Sequence, residues 1–375
     1  IQLIFFVSII YKEKSKITEK LALNLRRELP DSYRSSEIIK NIIYDYYIYF
    51  NELTQAIYNS NQLQKVDLQL SYKSLAKLEC LRKNKTNFQR CSADADTWVR
   101  GKLVTENNTF PIKLRPKGDR HINFINLKKM SLKVDIRGEK RYRGMEEFGI
   151  QSPIIRGYTN ELLTANILKK EDLLAPRQFY IKFYINGSYL GIRHVEEGFT
   201  KELIESSSRR YGPVFSLDES ISTNLFETNF DLANKKDWYN NEIINDSISI
   251  LESLKKSNNE KTFKNYFDQD KWGKYMALMD IFNTYHASVP KSVKFYLNPS
   301  TGLFEPIFFN GHKDDQIKDF RLSDFMNPNE LDKSNCGWLC GDDKDRNNWF
   351  KIMFGSKENF NSKFYKRYLY ALEKY

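Results

Sequence analysis

An α+β fold is predicted from the order of two apolar periodicities and from two hairpin signatures. Alternation of apolar and polar residues marks the chain from about 65 to 195, and helical periodicity follows to about 284. Asn186-Gly187 separates the alternating runs 179–185 and 189–195, and Asn-Gly readily takes the left-handed turn such a loop needs. A second hairpin is read in Lys291–Lys313. There Val293, Phe295 and Leu297 alternate up to the turn Asn298-Pro299-Ser300-Thr301-Gly302, and the apolar run Leu303–Phe309 stops at Asn310-Gly311-His312. Polar, metal-competent groups crowd the exit of that hairpin, where a rigid strand fixes side-chain direction. An ordinary hairpin with a polar tip is the plain alternative.

The remaining elements follow in order. Residues 14–59 carry helical periodicity through Leu21, Leu23 and Leu25, then Ile38, Ile39, Ile42 and Ile43, and Pro30-Asp31-Ser32 divides them into two helices. Residues 65–71 alternate as a strand, and Ser74–Lys83 reads as a short helix. Residues 97–115 form a strand pair around Glu106-Asn107-Asn108. Strands follow at 129–136 and 179–185, with a helix over Asn160–Leu168 between them. Helices are then expected at 199–208, 238–256, 259–267 and 269–284, and no internal repeat is present. This divides the chain into an N-terminal helical segment (11–60), a β-rich lobe (61–220) and a helical lobe carrying the second hairpin (221–375).

At 375 residues the chain can bury one large core or two modest ones. Its 16 Gly and 10 Pro exclude a low-complexity chain, and its aromatic content excludes disorder. The net charge of +11 is spread among acids rather than gathered in a stripe. No zinc-finger spacing or RNA-binding aromatic signature accompanies it, so no specific nucleic-acid partner is expected. A basic surface still favours acidic substrates or anionic headgroups. The apolar run Ile1–Ile10 is too short to span a bilayer and is expected to be the remnant of a signal sequence or membrane anchor, with a buried first element as the alternative. FYKRYLYALEKY at the other end stops within a helical pattern, so the chain reads as a fragment at both ends. Cys80/Cys91 and Cys336/Cys340 are local couples suited to two short disulfides in an exported domain, with four buried thiols as the alternative.

Residues 112–219 run from IKLRPKGDRH through NLKKMSLKVDI, FGIQSP and FYIKFYINGSYLGIRHVEEGFTKELIE to GPVFSLDE. With the second hairpin, this order resembles the spore-coat protein H (CotH) kinase-like family, and most closely a divergent branch found in marine bacteria. The resemblance spans roughly residues 100–315. It implies an atypical protein-kinase-like fold, with a β-rich N-terminal lobe and a mainly helical C-terminal lobe, that binds ATP and Mg²⁺. It also implies phosphoryl transfer to Ser or Thr of a surface or envelope protein, at the membrane or outside it. A catalytically impaired pseudokinase, kept as a nucleotide-binding or structural envelope module, is the rival reading. Simple surface attachment is a third.

A kinase needs cations on the nucleotide phosphates, ligands for Mg²⁺ and a base near the acceptor hydroxyl. By resemblance, Lys129 at the head of MSLKVDI and Glu196 in IRHVEEG take the positions of the family's paired Lys and Glu. Lys128 and Glu197 are one residue away, and a one-residue slip turns a strand side chain to the other face. The turn Arg115-Pro116-Lys117-Gly118-Asp119-Arg120 resembles the loop over the nucleotide, so Arg115, Lys117 and Arg120 are expected on phosphate. Two family carboxylates are missing: Ala287 stands at the catalytic Asp and Asn310 at the metal-binding Asp. His286 is the substitute proton acceptor, Asn310 and His312 are the metal candidates, and Asp314 or Asp315 could replace the lost acid. HExxH and G-x-S-x-G are both absent, which argues against a zinc protease or a serine hydrolase.

Overall fold

The computed structural model describes residues 63–85, 97–118, 123–124, 126–127, 129–217, 228–234, 238, 242–256, 259–313, 317, 319–327, 331, 333–340, 344–356 and 360–374. Within them the protein is a mixed α+β structure with a closed seven-stranded barrel, a separate four-stranded sheet and several helices. The two helices expected over 14–59, the apolar run Ile1–Ile10, Cys91, Arg120, Asp314 and Asp315 lie outside the described residues. No helix among the described residues is long and apolar enough to cross a membrane.

The barrel is built from β1 (Lys65–Gln69), β2 (Val99–Val104), β3 (Thr109–Pro116), β4 (Leu132–Ile136), β5 (Glu147–Gln151), β6 (Gln178–Ile185) and β7 (Ser188–Glu197), in the order β1-β2-β3-β4-β5-β7-β6. A parallel pairing of β1 with β6 closes it. Alternate residues point inward, so Val66, Leu68, Ile112, Leu114, Val134, Phe148, Ile150, Ile181 and Val195 fill the interior. The helix α1 (Tyr72–Lys85) adds Leu78 and Leu81 to the same core. The β6–β7 turn holds Asn186 at φ 49° and Gly187 at φ 78°, the left-handed pair expected of Asn-Gly.

Several boundaries moved, among them the helix expected over 238–256, which runs Glu242–Ser253, and three that bear on the site. The strand expected to start at residue 129 starts at Leu132, because the Lys129 amide is taken locally by Asn126 and the Ser131 amide by the Asn123 carbonyl. The helix expected over 269–284 ends at Ile281, followed by Asn283 at φ 54° and a 3₁₀ turn over Tyr285–Ser288. The second strand of the late hairpin ends at Ile307, after which the Phe308 amide bonds to the Leu174 carbonyl instead of a strand partner. The strand β5 alternates for only five residues, with a glycine at its centre, and was not expected.

The chain after the barrel contains α3 (Lys201–Ser206), β8 (Val214–Leu217), β9 (Phe230–Leu232), α4 (Glu242–Ser253), α5 (Asn259–Tyr266), α6 (Gln269–Ile281), β10 (Lys294–Asn298), β11 (Leu303–Ile307), α7 (Lys344–Phe354) and α8 (Ser362–Lys374). α2 (Thr159–Lys170) connects β5 to β6. The second sheet runs β11-β10-β8-β9, so the hairpin β10–β11 joins strands from just beyond the barrel. Pro306 is tolerated because β11 is an edge strand, where a missing N–H breaks no ladder. This sheet and the helices enclose an aromatic core around Trp272, Phe295, Phe304 and Trp349. Cys336 and Cys340 are bridged with Cα atoms 5.5 Å apart, and Cys80 is disulfide-bonded.

Candidate functional site

Strand β7 is buried on both faces from Gly191 onward. Its inward residue Val195 belongs to the barrel core, and its outward residues His194 and Glu196 face α2 and the β10–β11 end of the second sheet. Strand registry carries this polar face across the wall: Glu196 lies opposite Gly149, Gly149 opposite Lys133, and Lys133 opposite Arg115. Glu197 turns the other way and is ion-paired with Arg177. Of the two adjacent glutamates, Glu196 is the one on the face toward Arg156.

Glu196 does not pair with Lys129. Its Oε2 accepts from Lys117 Nζ at 2.7 Å, Arg156 Nη2 at 2.8 Å and Gln151 Nε2 at 3.1 Å. Lys117 wins because β3 delivers it to the same outward face, and because Gly149 lets its stem cross the wall. A Cβ on Gly149 would sit 2.6 Å from Lys117 Nζ and 3.0 Å from its Cδ. Lys129 sits in the turn before β4, with its own amide bound locally. Gly149→Ala is therefore expected to push Lys117 off Glu196 and cost about 1–3 kcal/mol, read by urea denaturation. An unchanged midpoint would show that the lysine has another route.

Arg156 is the hub the sequence reading missed. It ends a 3₁₀ turn, Pro153–Arg156, that Gly157 closes at φ 60°. Its side chain is only 6% exposed and reaches three ways: to Glu196, to Asn310 Oδ1 at 2.7 Å, and toward Glu161, with Nε 3.8 Å from Oε1. Its guanidinium also lies 5.0 Å from the Phe309 ring centre. A single arginine in the apolar run Pro153-Ile154-Ile155 was the available signal, since such a cation is buried only with partners.

Asn310, at φ 59°, completes the line from the barrel to the second sheet. Its Nδ2 faces His286 Nδ1 at 3.5 Å, and that same nitrogen is 3.0 Å from Ser292 Oγ. The His286 ring lies 4.6 Å from the His312 ring and 5.3 Å from Trp338, centre to centre. The turn carrying His286 is anchored by Tyr275 Oη and Trp349 Nε1, which donate to the carbonyls of Ala287 and Ser288. Ala287 is fully buried, so an aspartate there would be a buried, unpaired charge.

The structure thus joins Lys117, Glu196, Asn310, His286 and His312 through Arg156, and leaves Lys129 out. Arg115 shares the outward face of β3 with Lys117 but packs its guanidinium 5.3 Å from the Trp98 ring centre. These residues do not fit Mg²⁺: Asn310 gives its oxygen to a guanidinium, a repelling cation. Among the described residues no group of three or more His, Cys, Asp or Glu could hold a metal ion.

Electrostatics sharpen the picture. Burial alone would raise the Glu196 pKa, but the charges of Arg156 and Lys117 outweigh it and hold this carboxyl far below its ordinary range. Burial lowers the Lys117 pKa against the opposing pull of Glu196. Burial also pushes the Glu161 carboxyl up and takes the His194 ring down to about 3. A scan against protein-family models matched none, and a search of curated proteins found no relative of this chain.

Proposed function

We propose that this chain is a kinase-like nucleotide-binding protein of the cell envelope, similar to the CotH kinase-like family, in which phosphoryl transfer is weak or lost. In this reading the barrel is the β-rich lobe and the later helices form the other lobe. Lys117, rather than Lys129, is the lysine held by Glu196 and directed at phosphate, with Arg115 beside it. The observation that carries the reading is the Lys117–Glu196 pair at 2.7 Å on the wall that meets the β10–β11 hairpin. Lys117 remains one-quarter exposed, so a phosphate oxygen can reach it. The Arg156–Asn310 contact supports the impaired form, because a fixed guanidinium takes the Asn310 oxygen that a metal ion would need.

Calorimetric titration tests the proposal. ATP is expected to bind with little dependence on Mg²⁺, and Lys117→Ala to weaken it about tenfold or more, the value of one charge-assisted hydrogen bond. Label transfer from γ-labelled ATP to Ser/Thr substrates should stay near background. No ATP binding would remove the nucleotide reading and leave a structural envelope module. Efficient Mg²⁺-dependent transfer, lost on changing Asp314 or Asp315 to Ala, would instead restore the active kinase.

A further inference from the structure

Two buried oxygens near Glu196 have no hydrogen-bond partner: its own Oε1 and Oε2 of Glu161. Both carboxyls are about 1% exposed or less, and each already uses its other oxygen. Glu161 Oε1 accepts from Gln178 Nε2 at 3.3 Å, and Gln178 Oε1 lies 3.2 Å from His194 Nε2. The amide fixes the tautomer, so His194 Nε2–H donates to Gln178, whose Nε2–H donates to Glu161. One proton on Glu161 Oε2, donated to Glu196 Oε1, continues this direction and satisfies both orphaned atoms.

We infer that Glu161 and Glu196 share this single proton, and that it sets the charge with which the site meets a polyphosphate. Glu161 is then a positioning residue for Glu196, and this inference rests on the nucleotide-binding reading only for its functional half. With the proton in place, Lys117 and Arg156 face one anion, a net charge of +1. Loss of the proton brings the set to zero. The alternative is an ionised Glu161 that balances the two cations. It would leave a fully buried carboxylate with one amide donor at 3.3 Å, one guanidinium nitrogen at 3.8 Å and an empty oxygen, whereas Glu196 collects three donors on one oxygen.

The groups facing Glu161 are Arg156 from the preceding 3₁₀ turn, Glu196 from β7, Gln178 from β6 (which carries His194 behind it), Lys117 just past β3 and Tyr275 from α6. The alkaline-side pKa of Glu161, about 8 from burial first, agrees with the shared proton. The sign follows. Between the ordinary value of 4.5 and about 8, the folded state holds a proton that the unfolded chain has lost, so stability falls as pH rises through this window.

The test compares the wild type with Glu161→Gln, whose amide N–H replaces the proton donor, and Glu161→Ala, which removes it. The wild-type melting temperature should fall between pH 5 and 9 relative to Glu161→Gln, which should lack that slope. Glu161→Ala should be less stable than Glu161→Gln throughout. Parallel slopes in the wild type and Glu161→Gln would overturn the shared proton, whether or not ATP binds. For ATP titrated without divalent metal, the two proteins should bind equally at pH 6.5. The wild type should be about tenfold weaker at pH 9.5, the effect of one added charge at about 10 Å. A pH-independent affinity ratio would overturn the functional half. Absence of ATP binding at every pH would count against the nucleotide reading, with the melting data still deciding the proton.

Discussion

Replacing Glu196 by alanine is expected to destabilise the protein by about 3–5 kcal/mol, the loss seen when one partner of a buried ion pair is removed. The substitution leaves two cations facing each other. Lys117 can swing its ammonium toward water, being one-quarter exposed, but Arg156 at 6% cannot, and a guanidinium does not neutralise. Most of the cost therefore comes from Arg156, and Glu196→Gln should cost less because its carbonyl still accepts. Coupling is the sharper readout. In a double-mutant cycle, adding Lys117→Ala to Glu196→Ala should recover part of the loss, since the second change removes an uncompensated charge. Glu196 also sets an acid limit. Its depressed pKa contributes stability that is complete above its ordinary value of 4.5 and is lost as pH falls toward the folded-state value. Urea denaturation followed by circular dichroism measures all of this. A loss below about 1 kcal/mol for Glu196→Ala would show that the cluster is solvated rather than buried.

Periodicity was enough to read the hairpins and most helices, because a strand or helix with one apolar face writes its period into the sequence. It failed where both faces are buried. Strand β5 reads Glu147-Phe148-Gly149-Ile150-Gln151, and its outward side is a glycine that clears a path for Lys117 and a glutamine bonded to Glu196. Phe148 and Ile150 do alternate with the other three, but over five residues and around a glycine, too short a run to separate from a turn. Barrel closure was equally invisible, since the β1–β6 pairing joins residues far apart in sequence. Near the Glu196 cluster, Asn310 was singled out at the polar exit of a hairpin, whereas Glu196 and His286 were named through the resemblance alone. Lys117 was singled out for phosphate without its protein partner, and Glu196 was given to Lys129 instead. Registry, which only the assembled sheet supplies, assigned it to Glu196. Arg156, Glu161 and Gln178 were missed because each owes its role to burial beside the others.

Trp272→Ala is expected to cost about 3–5 kcal/mol and to carry the effect into the candidate site. Trp272 comes from α6 and is fully buried. Its indole lies 5.6 Å from Phe295 of β10, 5.7 Å from Phe267 and 5.9 Å from Trp349, centre to centre. Its Nε1–H donates to the Phe304 carbonyl of β11 at 3.0 Å. One side chain thus fixes both strands of the hairpin that ends at Asn310, while Trp349 holds the His286 turn through Ser288. Alanine would open a cavity among aromatic rings that cannot all collapse inward, and would leave the Phe304 carbonyl with the Asp268 amide, at 3.0 Å, in place of two donors. Trp272→Phe keeps most of the volume and loses one of the carbonyl's two donors, so it should cost about 0.5–1.5 kcal/mol. The two variants separate packing from hydrogen bonding in one denaturation series. The Arg156–Asn310 contact gives a second readout: as the hairpin loosens, Arg156 loses a partner, and Trp272→Ala should then be non-additive with Asn310→Ala. Strict additivity of the two losses would show that the aromatic core and the site are energetically independent.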